Sequence, residues 1–261
     1  MTQLMGVVNV TPDSFSDGGL YLDPEAAIAH GRELAAAGAE ILDVGGESTR
    51  PGADPVEVVE ELRRVVPVIE GLRSAEARIS VDTSKAAVAA AALDAGAEIV
   101  NDVTALRGDP EMAALCADRG PGVVLMHMLG EPQTMQEDPR YGDVVAEVKA
   151  FLAERLEAAV AAGIAEERVW LDPGIGFGKT AAHNMELLRR LGELRELGRP
   201  LVVGTSRKSF IGRVDGSPAD RRLGGTIASS VLAAAEGADV LRVHDVAEMR
   251  QALTMATAIL G

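Results

Sequence analysis

Apolar and polar residues follow a unit that recurs along the chain: an alanine-rich stretch, a glycine, a short aliphatic run and polar residues that end it. Three copies are plain, at residues 37–44, 95–103 and 236–244. The glycine stands where a helix would end, because glycine adopts the left-handed backbone of a helix C-terminus at no steric cost. Each copy therefore predicts a helix end followed directly by a buried strand, the glycines being Gly38, Gly96 and Gly237.

Five further aliphatic runs bring the number of predicted strands to eight. They are Leu4–Asn9, Arg78–Asp82, Gly122–Met126, Arg168–Leu171 and Pro200–Gly204. Alanine-rich amphipathic segments between the strands, such as Val144–Ala162, are expected to form outer helices. A polar residue followed by proline marks four predicted helix starts, at Asp23-Pro24, Asp54-Pro55, Asp109-Pro110 and Ser217-Pro218.

Strands and helices that alternate in this way predict a parallel sheet with right-handed crossovers. The 261 residues fit one (β/α)8 TIM barrel, which typically takes ~250 residues, so we expect an α/β fold with residues 1–261 as a single domain. Aromatic residues make up only 3% of the chain, so an aliphatic core is expected, with Trp170 as a packing residue. The rival fold is an open doubly wound sheet, but the glycine-rich stretch Asp172–Lys179 has neither dinucleotide-binding nor P-loop spacing.

The charge of the chain narrows the possible ligands. A net charge of −15 argues against nucleic-acid binding, which needs lysine and arginine clustered on one face. Cys116 is the only cysteine, so neither a disulfide nor a cysteine metal site is expected. No apolar stretch reaches ~18 residues and the N-terminus has no targeting pattern, so we expect a cytoplasmic protein that does not bind a membrane.

Polar residues follow the predicted strands at their carboxyl ends, where the catalytic groups of a barrel converge. Arg242 and His244 are two positions apart on one strand, so their side chains point to the same side and can form an anion site. Residues 204–209 are strongly basic within an acidic chain. The stretches 11–19 and 48–53 are polar and rich in glycine, which is typical of loops that close over a ligand.

Eight motifs, in order along the chain, resemble those of the dihydropteroate synthases, folate-pathway enzymes of the pterin-binding barrel family. The two longest are Met-Gly-Val-Val-Asn-Val-Thr-Pro-Asp-Ser-Phe-Ser-Asp-Gly at residues 5–18 and Asp-Val-Gly-Gly-Glu-Ser-Thr-Arg-Pro-Gly at residues 43–52. The others are Val81-Asp-Thr, Val100-Asn-Asp, Leu125-Met-His-Met, Leu171-Asp-Pro-Gly, Gly204-Thr-Ser-Arg-Lys and Arg242-Val-His. Many relatives carry extra residues before the first motif, which leaves open how the floor of this barrel is covered.

The resemblance implies condensation of (7,8-dihydropterin-6-yl)methyl diphosphate with 4-aminobenzoate to give 7,8-dihydropteroate and diphosphate. The residues implied to hold the pterin are Asp82, Asn101, Met126, Asp172, Lys208 and Arg242. Carboxylates, an amide and an ammonium can satisfy the donors and acceptors of an amino-pyrimidinone edge. Three of these residues are also implied to be catalytic, namely Asp82, Asp172 and Lys208.

The resemblance also implies sites for the other substrate groups. The diphosphate site is implied to comprise Asn9, Arg50, Arg242 and His244. A Mg²⁺ cofactor is implied on the diphosphate, with the Asn9 carbonyl as its protein ligand, which suits the preference of Mg²⁺ for phosphate and water oxygens. The 4-aminobenzoate pocket is implied to comprise Phe15, Thr49, Arg50, Pro51, Phe177, Lys208 and Ser209. A homodimer formed through late helices is implied as well.

We expect an SN1-like reaction in which diphosphate departs and leaves a resonance-stabilised pterin-methyl cation. Asp82 and Asp172 would stabilise this cation, while Mg²⁺ and the basic side chains would stabilise the leaving diphosphate. Closure of the two glycine-rich loops would then exclude water and seat the aromatic amine. No strong general base is required.

Simpler explanations exist for several of these residues. Asp82 could merely favour the start of the following helix. Asn101 and Asp102 could be turn residues, and a structural role is preferred for Asp102. The strand parity of His127 favours the helix layer or the rim, and Asp43 could face either the barrel interior or its rim.

Two rival functions belong to different classes. A pterin-binding methyltransferase, which passes a methyl group from tetrahydrofolate to a corrinoid protein, would not need the basic residues 206–208 or a diphosphate site. A catalytically silent paralogue would only bind pterin or serve as a dimeric scaffold. An intact set of candidate residues argues against the silent paralogue: Asn9, Asp82, Lys208, Arg242 and His244.

Overall fold

Strands and helices alternate throughout the described residues, which are 2–11, 23–48, 53–131 and 134–260 of a computed structural model. These ranges contain eight strands: β1 Gln3–Asn9, β2 Ile41–Gly45, β3 Arg78–Asp82, β4 Ile99–Asp102, β5 Gly122–Met126, β6 Val169–Asp172, β7 Val202–Val203 and β8 Val240–Val243. Every predicted strand is confirmed.

Nine α-helices lie in the same ranges: α1 Pro24–Ala36, α2 Val58–Leu72, α3 Ala86–Ala95, α4 Met112–Arg119, α5 Val144–Ala161, α6 Ala181–Arg189, α7 Ser209–Asp215, α8 Leu223–Ala235 and α9 Val246–Leu260. Short 3-10 helices add further turns at Glu166–Arg168, Leu191–Leu197 and Ala219–Arg221. The predicted outer helix between the fifth and sixth strands is confirmed as α5. Of the helices in the described ranges, none combines the length and apolar character that crossing a lipid bilayer requires.

The eight strands form one parallel sheet that closes on itself. Its hydrogen-bonded order is β6-β5-β4-β3-β2-β1-β8-β7. The two end strands meet through a parallel bridge between Leu171 and Leu201, next to a 2.9 Å bond from the Leu171 N–H to the Pro200 carbonyl. The predicted (β/α)8 barrel is therefore confirmed, and the open doubly wound sheet is excluded.

Successive residues of each strand face opposite sides of the barrel wall. An aliphatic layer fills the interior, formed by Met5, Ile41, Ile99, Val124, Val202 and Val240. The alternate positions, such as Leu42, Val81 and Val100, pack outward against the helices in a larger core. Aliphatic packing thus fixes which side of each strand faces inward. The polar residues that stand two positions after these aliphatic residues also face inward, and they lie at the mouth of the barrel.

The predicted helix starts are right in one case of four. Asp23 caps α1, its carboxylate accepting a 3.1 Å bond from the Glu25 N–H, with Pro24 in the first turn. The other three α-helices begin two to five residues after the predicted proline, at Val58, Met112 and Leu223. Asp109 shows one reason, because its carboxylate accepts the Ala86 N–H at 2.8 Å and so caps α3 rather than α4 alone.

The glycines predicted to end helices have the expected backbone. Gly38, Gly96 and Gly237 have φ values of 103°, 116° and 99°. These conformations turn the chain from a helix into the next strand at a position where a side chain would be strained.

Stacked side chains contribute to the barrel floor. The Arg78 guanidinium lies 5.1 Å from the Trp170 ring centroid, and it donates a 3.3 Å bond to the Gln3 side chain. Trp170 also packs against the interior aliphatic layer, so its predicted packing role is confirmed.

The glycine-rich loop between β6 and α6 presses directly on the end of β5. A Cβ added to Gly174, whose φ is +65°, would lie 1.9 Å from the His127 carbonyl oxygen. A Cβ on Gly178 would lie 2.4 Å from the Leu129 carbonyl oxygen. Only glycine permits this approach of two backbones.

The Gly174→Ala substitution is expected to lower the free energy of unfolding by about 3 kcal/mol or more, since steric overlap adds to left-handed strain. Gly120 provides a matched control because its φ is also +65° but a Cβ there would meet nothing within 4 Å. Gly120→Ala should therefore cost only about 1–2 kcal/mol. Urea unfolding measures both values, and equal losses would contradict the close approach.

Candidate active site

The guanidinium of Arg242 lies at the centre of a buried polar cluster in the barrel mouth. Its Nε donates to Asp43 Oδ2 at 2.6 Å, and its Nη2 donates to Asp82 Oδ2 at 2.7 Å. The three residues stand on β8, β2 and β3. One cation thus bridges carboxylates from two other strands across the mouth.

A fourth strand, β4, joins this cluster through a hydrogen bond from Asn101 to Asp43. Asp43 Oδ2 accepts this 3.0 Å bond from the Asn101 amide, and the Asp43 side chain is fully buried. The sequence left open whether Asp43 faces the interior or the rim, and the structure places it in the interior. Strand parity could have decided this, because Ile41, two residues earlier, belongs to the interior aliphatic layer.

Asp82 is itself buried, and its burial determines the pKa of its carboxyl group. The pKa of Asp82 is raised to about 7, chiefly because burial removes water from the carboxylate; the nearby Arg242 guanidinium opposes this rise and the Asp43 carboxylate adds to it. A buried carboxylate held beside one cation can accept hydrogen bonds from a ligand or stabilise positive charge that develops on it.

Asp172 and Lys208 form the opposite side of the mouth. Asp172 Oδ1 accepts a 2.7 Å bond from the Gly174 N–H. The Lys208 ammonium donates to the Ile175 carbonyl and lies 4.6 Å from the centroid of the Phe177 ring. Burial lowers the pKa of Lys208 to about 8 against the opposing effect of Asp172, and burial raises the pKa of Asp172 against that of Lys208.

Met126 and Phe177 belong to an apolar wall beside these polar groups. They pack together with Val103, Met128 and Met135 in a small cluster separate from the main core. The wall continues the interior face of β5 and gives the mouth a surface suited to a flat ring.

His244 lies at the end of β8, where Ser206 contacts it twice. The Ser206 hydroxyl lies 2.9 Å from His244 Nδ1 and accepts the His244 backbone N–H at 3.2 Å. Arg207 fixes this turn: its φ is 57°, and its Nε donates a 3.0 Å bond to Asp245. The basic turn after β7 is therefore tied to the end of β8, as an anion site formed from both strands requires.

The remaining predicted residues are spread around the mouth. Asn9 ends β1 and is half-buried, and Ser209 is exposed as the first residue of α7. Phe15, Thr49, Arg50 and Pro51 lie outside the described residues.

Simple structural roles are confirmed for other polar residues. Asp102 accepts bonds from the Thr104 N–H at 2.8 Å and the Leu106 N–H at 2.9 Å, so it shapes its own turn. His127 packs edge-on against Phe151 of α5, with ring centroids 4.8 Å apart, and thus faces the helix layer. Capping of α3 is not the role that the bonds of Asp82 indicate, because they go to Arg242.

Two lysines, one buried and one half-buried, received no role from the sequence. Lys179 ends the glycine-rich loop and is only 2% exposed. Lys85 bonds to Glu47 and, at 2.5 Å, to the buried Glu61 on α2. The acceptors of Lys85 come from distant parts of the chain. Lys179 combines the nearby carbonyls of Gly174 and Phe177 with the distant His127 ring, which the sequence does not place beside it.

Taken together, these groups can hold a flat, polar heterocycle and an adjacent anion. Carboxylates, an amide and an ammonium lie beside an apolar wall. The wall can contact the face of a ring, and the polar groups can bond to donors and acceptors on its edge. Within the described ranges, no group of three or more His, Cys, Asp or Glu residues is arranged so that it could hold a metal ion.

Comparisons with known proteins agree with this chemistry. Residues 5–244 match the family described as pterin binding enzyme. The chain is 48% identical over 259 residues to the dihydropteroate synthase of Escherichia coli strain K12, which spans 99% of this chain and 92% of that protein.

Solved structures agree as well. A Yersinia pestis dihydropteroate synthase with a sulfonamide drug complex has a TM-score of 0.96 at 46% identity, covering 99% of this chain and 94% of that one. The Xanthomonas albilineans dihydropteroate synthase in complex with 7,8-dihydropteroate has a TM-score of 0.89 at 48% identity, covering 100% and 94%. The chain therefore belongs to the dihydropteroate synthase family of pterin-binding transferases.

Proposed function

We propose that the polar cluster in the barrel mouth catalyses the dihydropteroate synthase reaction in this chain. The enzyme condenses (7,8-dihydropterin-6-yl)methyl diphosphate with 4-aminobenzoate and releases 7,8-dihydropteroate and diphosphate. The observation that carries this assignment is the buried network in which Arg242 bridges Asp43 and Asp82. It lies opposite Asp172 and Lys208 in a chain of the same family as proteins that bind this product.

The pterin ring lies between the two sides of the mouth. The carboxylates of Asp82 and Asp172 accept hydrogen bonds from the donors of its amino-pyrimidinone edge. The Asn101 amide can both donate and accept, and Lys208 donates to the ring acceptors. Met126 packs on one face of the ring, while the guanidinium of Arg242 stacks on it. Because the carboxylates are already bonded to other protein groups, they do not reorganise when the ring arrives.

The reaction proceeds by departure of diphosphate before the new C–N bond forms. The pterin-methyl carbon then carries positive charge that the ring delocalises. The carboxylates of Asp82 and Asp172 stabilise this charge from buried positions, where electrostatic interactions are stronger than in water. The aromatic amine is a weak nucleophile, so the developing cation rather than a strong base drives bond formation. The new C–N bond replaces the broken C–O bond, and the proton that the amine nitrogen then loses passes to the released diphosphate or to water.

The diphosphate lies beside Asn9, Arg50, Arg242 and His244. Arginine suits this role because its guanidinium can bond two phosphate oxygens at once. The half-buried amide of Asn9 at the end of β1 fits Mg²⁺, which takes few protein ligands when phosphates and water supply the others. When bound, Mg²⁺ would neutralise charge on the leaving diphosphate.

The 4-aminobenzoate lies toward the outer rim. Phe177 and the aliphatic part of Lys208 contact its ring, and its carboxylate rests on Ser209 at the first turn of α7, where backbone N–H groups are free to bind an anion. The remaining proposed residues of this pocket are Phe15, Thr49, Arg50 and Pro51.

We further propose that the chain forms a homodimer through α8 and α9. An apolar surface on these helices supports this, since Leu232, Met255, Ile259 and Leu260 are 63%, 58%, 75% and 71% exposed. Large apolar side chains exposed on two neighbouring helices are typical of a protein interface. The single-domain organisation and the cytoplasmic location stay predictions.

The purified chain should convert the dihydropterin diphosphate and 4-aminobenzoate, with Mg²⁺, into equal amounts of dihydropteroate and diphosphate. Asp82→Asn should lower kcat/KM by about 100-fold or more, because a neutral amide cannot stabilise the cation. Asp102→Asn is the control, a buried carboxylate that should affect stability but not turnover per folded molecule. Pterin binding without product would favour the silent paralogue, and methyl transfer to a corrinoid protein would favour the methyltransferase.

The pH dependence of kcat/KM for the pterin substrate should be bell-shaped, with its maximum between about 7 and 8. Activity falls below this range as Asp82, whose pKa is about 7, becomes protonated. It falls above the range as Lys208, whose pKa is about 8, loses its proton. Lys208→Arg should move only the basic limb upward, since a guanidinium stays charged. A flat profile between pH 6 and pH 9 would count against both assignments.

Sedimentation at micromolar concentration should show a dimer for the wild-type chain and a monomer for the Leu232→Glu, Ile259→Glu double variant. Charges buried without partners oppose association. The control is Val59→Glu, which changes a residue that is 79% exposed on α2 and should remain dimeric. A monomeric wild-type chain would rule out the proposed dimer.

A further inference from the structure

Lys179 is a buried lysine that the proposed reaction does not use. It ends the glycine-rich loop, one residue before Thr180 caps α6. Its Nζ lies 2.9 Å from the Gly174 carbonyl oxygen, 3.0 Å from that of Phe177 and 2.8 Å from His127 Nδ1. The Lys179 amino group is therefore enclosed by acceptors of the loop itself and of the chain after β5.

The amino group has a fourth, longer contact with the His127 carbonyl oxygen at 3.4 Å, and its three shorter contacts match the number of bonds that it can make. An ammonium donates three hydrogen bonds, one to each of these three atoms, because the lowered pKa of His127, about 3, leaves its ring neutral. Burial also lowers the pKa of Lys179. A neutral amine would donate to the two carbonyls and accept from a protonated Nδ1, so the contacts persist in either state.

The bonded carbonyls belong to the segment that forms one side of the active site. Gly174, whose carbonyl bonds Lys179, donates its N–H to Asp172 at 2.7 Å. Between the two acceptors, the Ile175 carbonyl accepts from Lys208. Phe177 supplies both a carbonyl for Lys179 and a ring for Lys208.

The loop is consequently held by two lysines from different directions. Lys179 contacts it beside His127, whose ring packs on α5 in the helix layer. Lys208 contacts the loop from the barrel mouth, where Asp172 raises the pKa of Lys208 and Arg242 lowers it. Without Lys179, the Gly174 and Phe177 carbonyls would lose a buried donor, which is unfavourable for a segment closed off from water.

We propose that Lys179 is a positioning residue, which holds the glycine-rich loop in the conformation that presents Asp172 and Phe177 to the substrates and the Ile175 carbonyl to Lys208. This inference rests on the proposed function for the roles of Asp172 and Phe177. Lys179 itself does not touch either substrate. It acts through the backbone of residues 174–177.

The first test is Lys179→Met, which keeps the length of the side chain and removes its hydrogen bonds. We expect kcat/KM for both substrates to fall by about 10- to 100-fold, the effect of a small displacement of groups near the reaction. Amide hydrogen exchange of residues 174–178 should become faster, while that of β1, β2 and β3 stays unchanged. The control is Lys149→Met, which removes an exposed lysine bonded to Glu196 at 2.6 Å and should leave both measurements unchanged.

A second pair of variants covers the case in which Lys179→Met does not fold. His127→Asn keeps a polar atom near the position of Nδ1, whereas His127→Leu removes it, and both lose the ring contact with Phe151. We expect His127→Leu to show the lower kcat/KM and the faster loop exchange. Equal behaviour of the two variants, or wild-type kinetics and exchange in Lys179→Met, would overturn the proposal.

Exchange is measured without substrate, so it separates this proposal from the proposed function. If loop exchange is faster in Lys179→Met but the wild-type chain does not form dihydropteroate, Lys179 still holds the loop and the proposed function is wrong. If the wild-type chain forms dihydropteroate but loop exchange is unchanged in Lys179→Met, the proposed function stands and the proposed role of Lys179 is wrong.

Discussion

The buried guanidinium of Arg242 is the interaction on which the rest of the site depends. Removing one partner of a buried ion pair typically costs 3–5 kcal/mol, because the remaining charge is left without compensation. Arg242 therefore has to keep both Asp43 and Asp82, and Asp43 in turn holds Asn101. This fixes side chains from four strands relative to one another before any ligand binds.

The barrel supplies the geometry that makes such a cluster possible. Inward positions of its strands carry aliphatic residues near the middle, and the next inward positions emerge at the mouth. Asp43 follows Ile41 by two residues, and Arg242 follows Val240 by two. Packing of the aliphatic layer thus determines the height and direction of the charged groups, which explains why a distant core substitution could disturb the chemistry.

Sequence reasoning predicted the strands and the left-handed glycines, because each depends on local pattern, and its motifs named the residues Asp82, Asp172, Lys208 and Arg242 that the structure brings to the barrel mouth. It placed three helix starts two to five residues too early, and Asp109, for example, bonds to the start of α3 as well as to the turn before α4. It also gave no role to Lys179, since nothing near that residue in the sequence indicates burial. Its acceptors at His127 and Gly174 meet only after β5 and β6 pair.

The charge of the chain gives the final reason for this architecture. In a protein with a net charge of −15, a cation near the site is attracted to acidic surface groups as well as to substrate. Here three basic side chains in the described part of the mouth are bonded within the protein: Arg242 to carboxylates, Lys208 to a carbonyl and Arg207 to Asp245. Such bonds hold each cation in place, so binding an anionic substrate requires little further reorganisation.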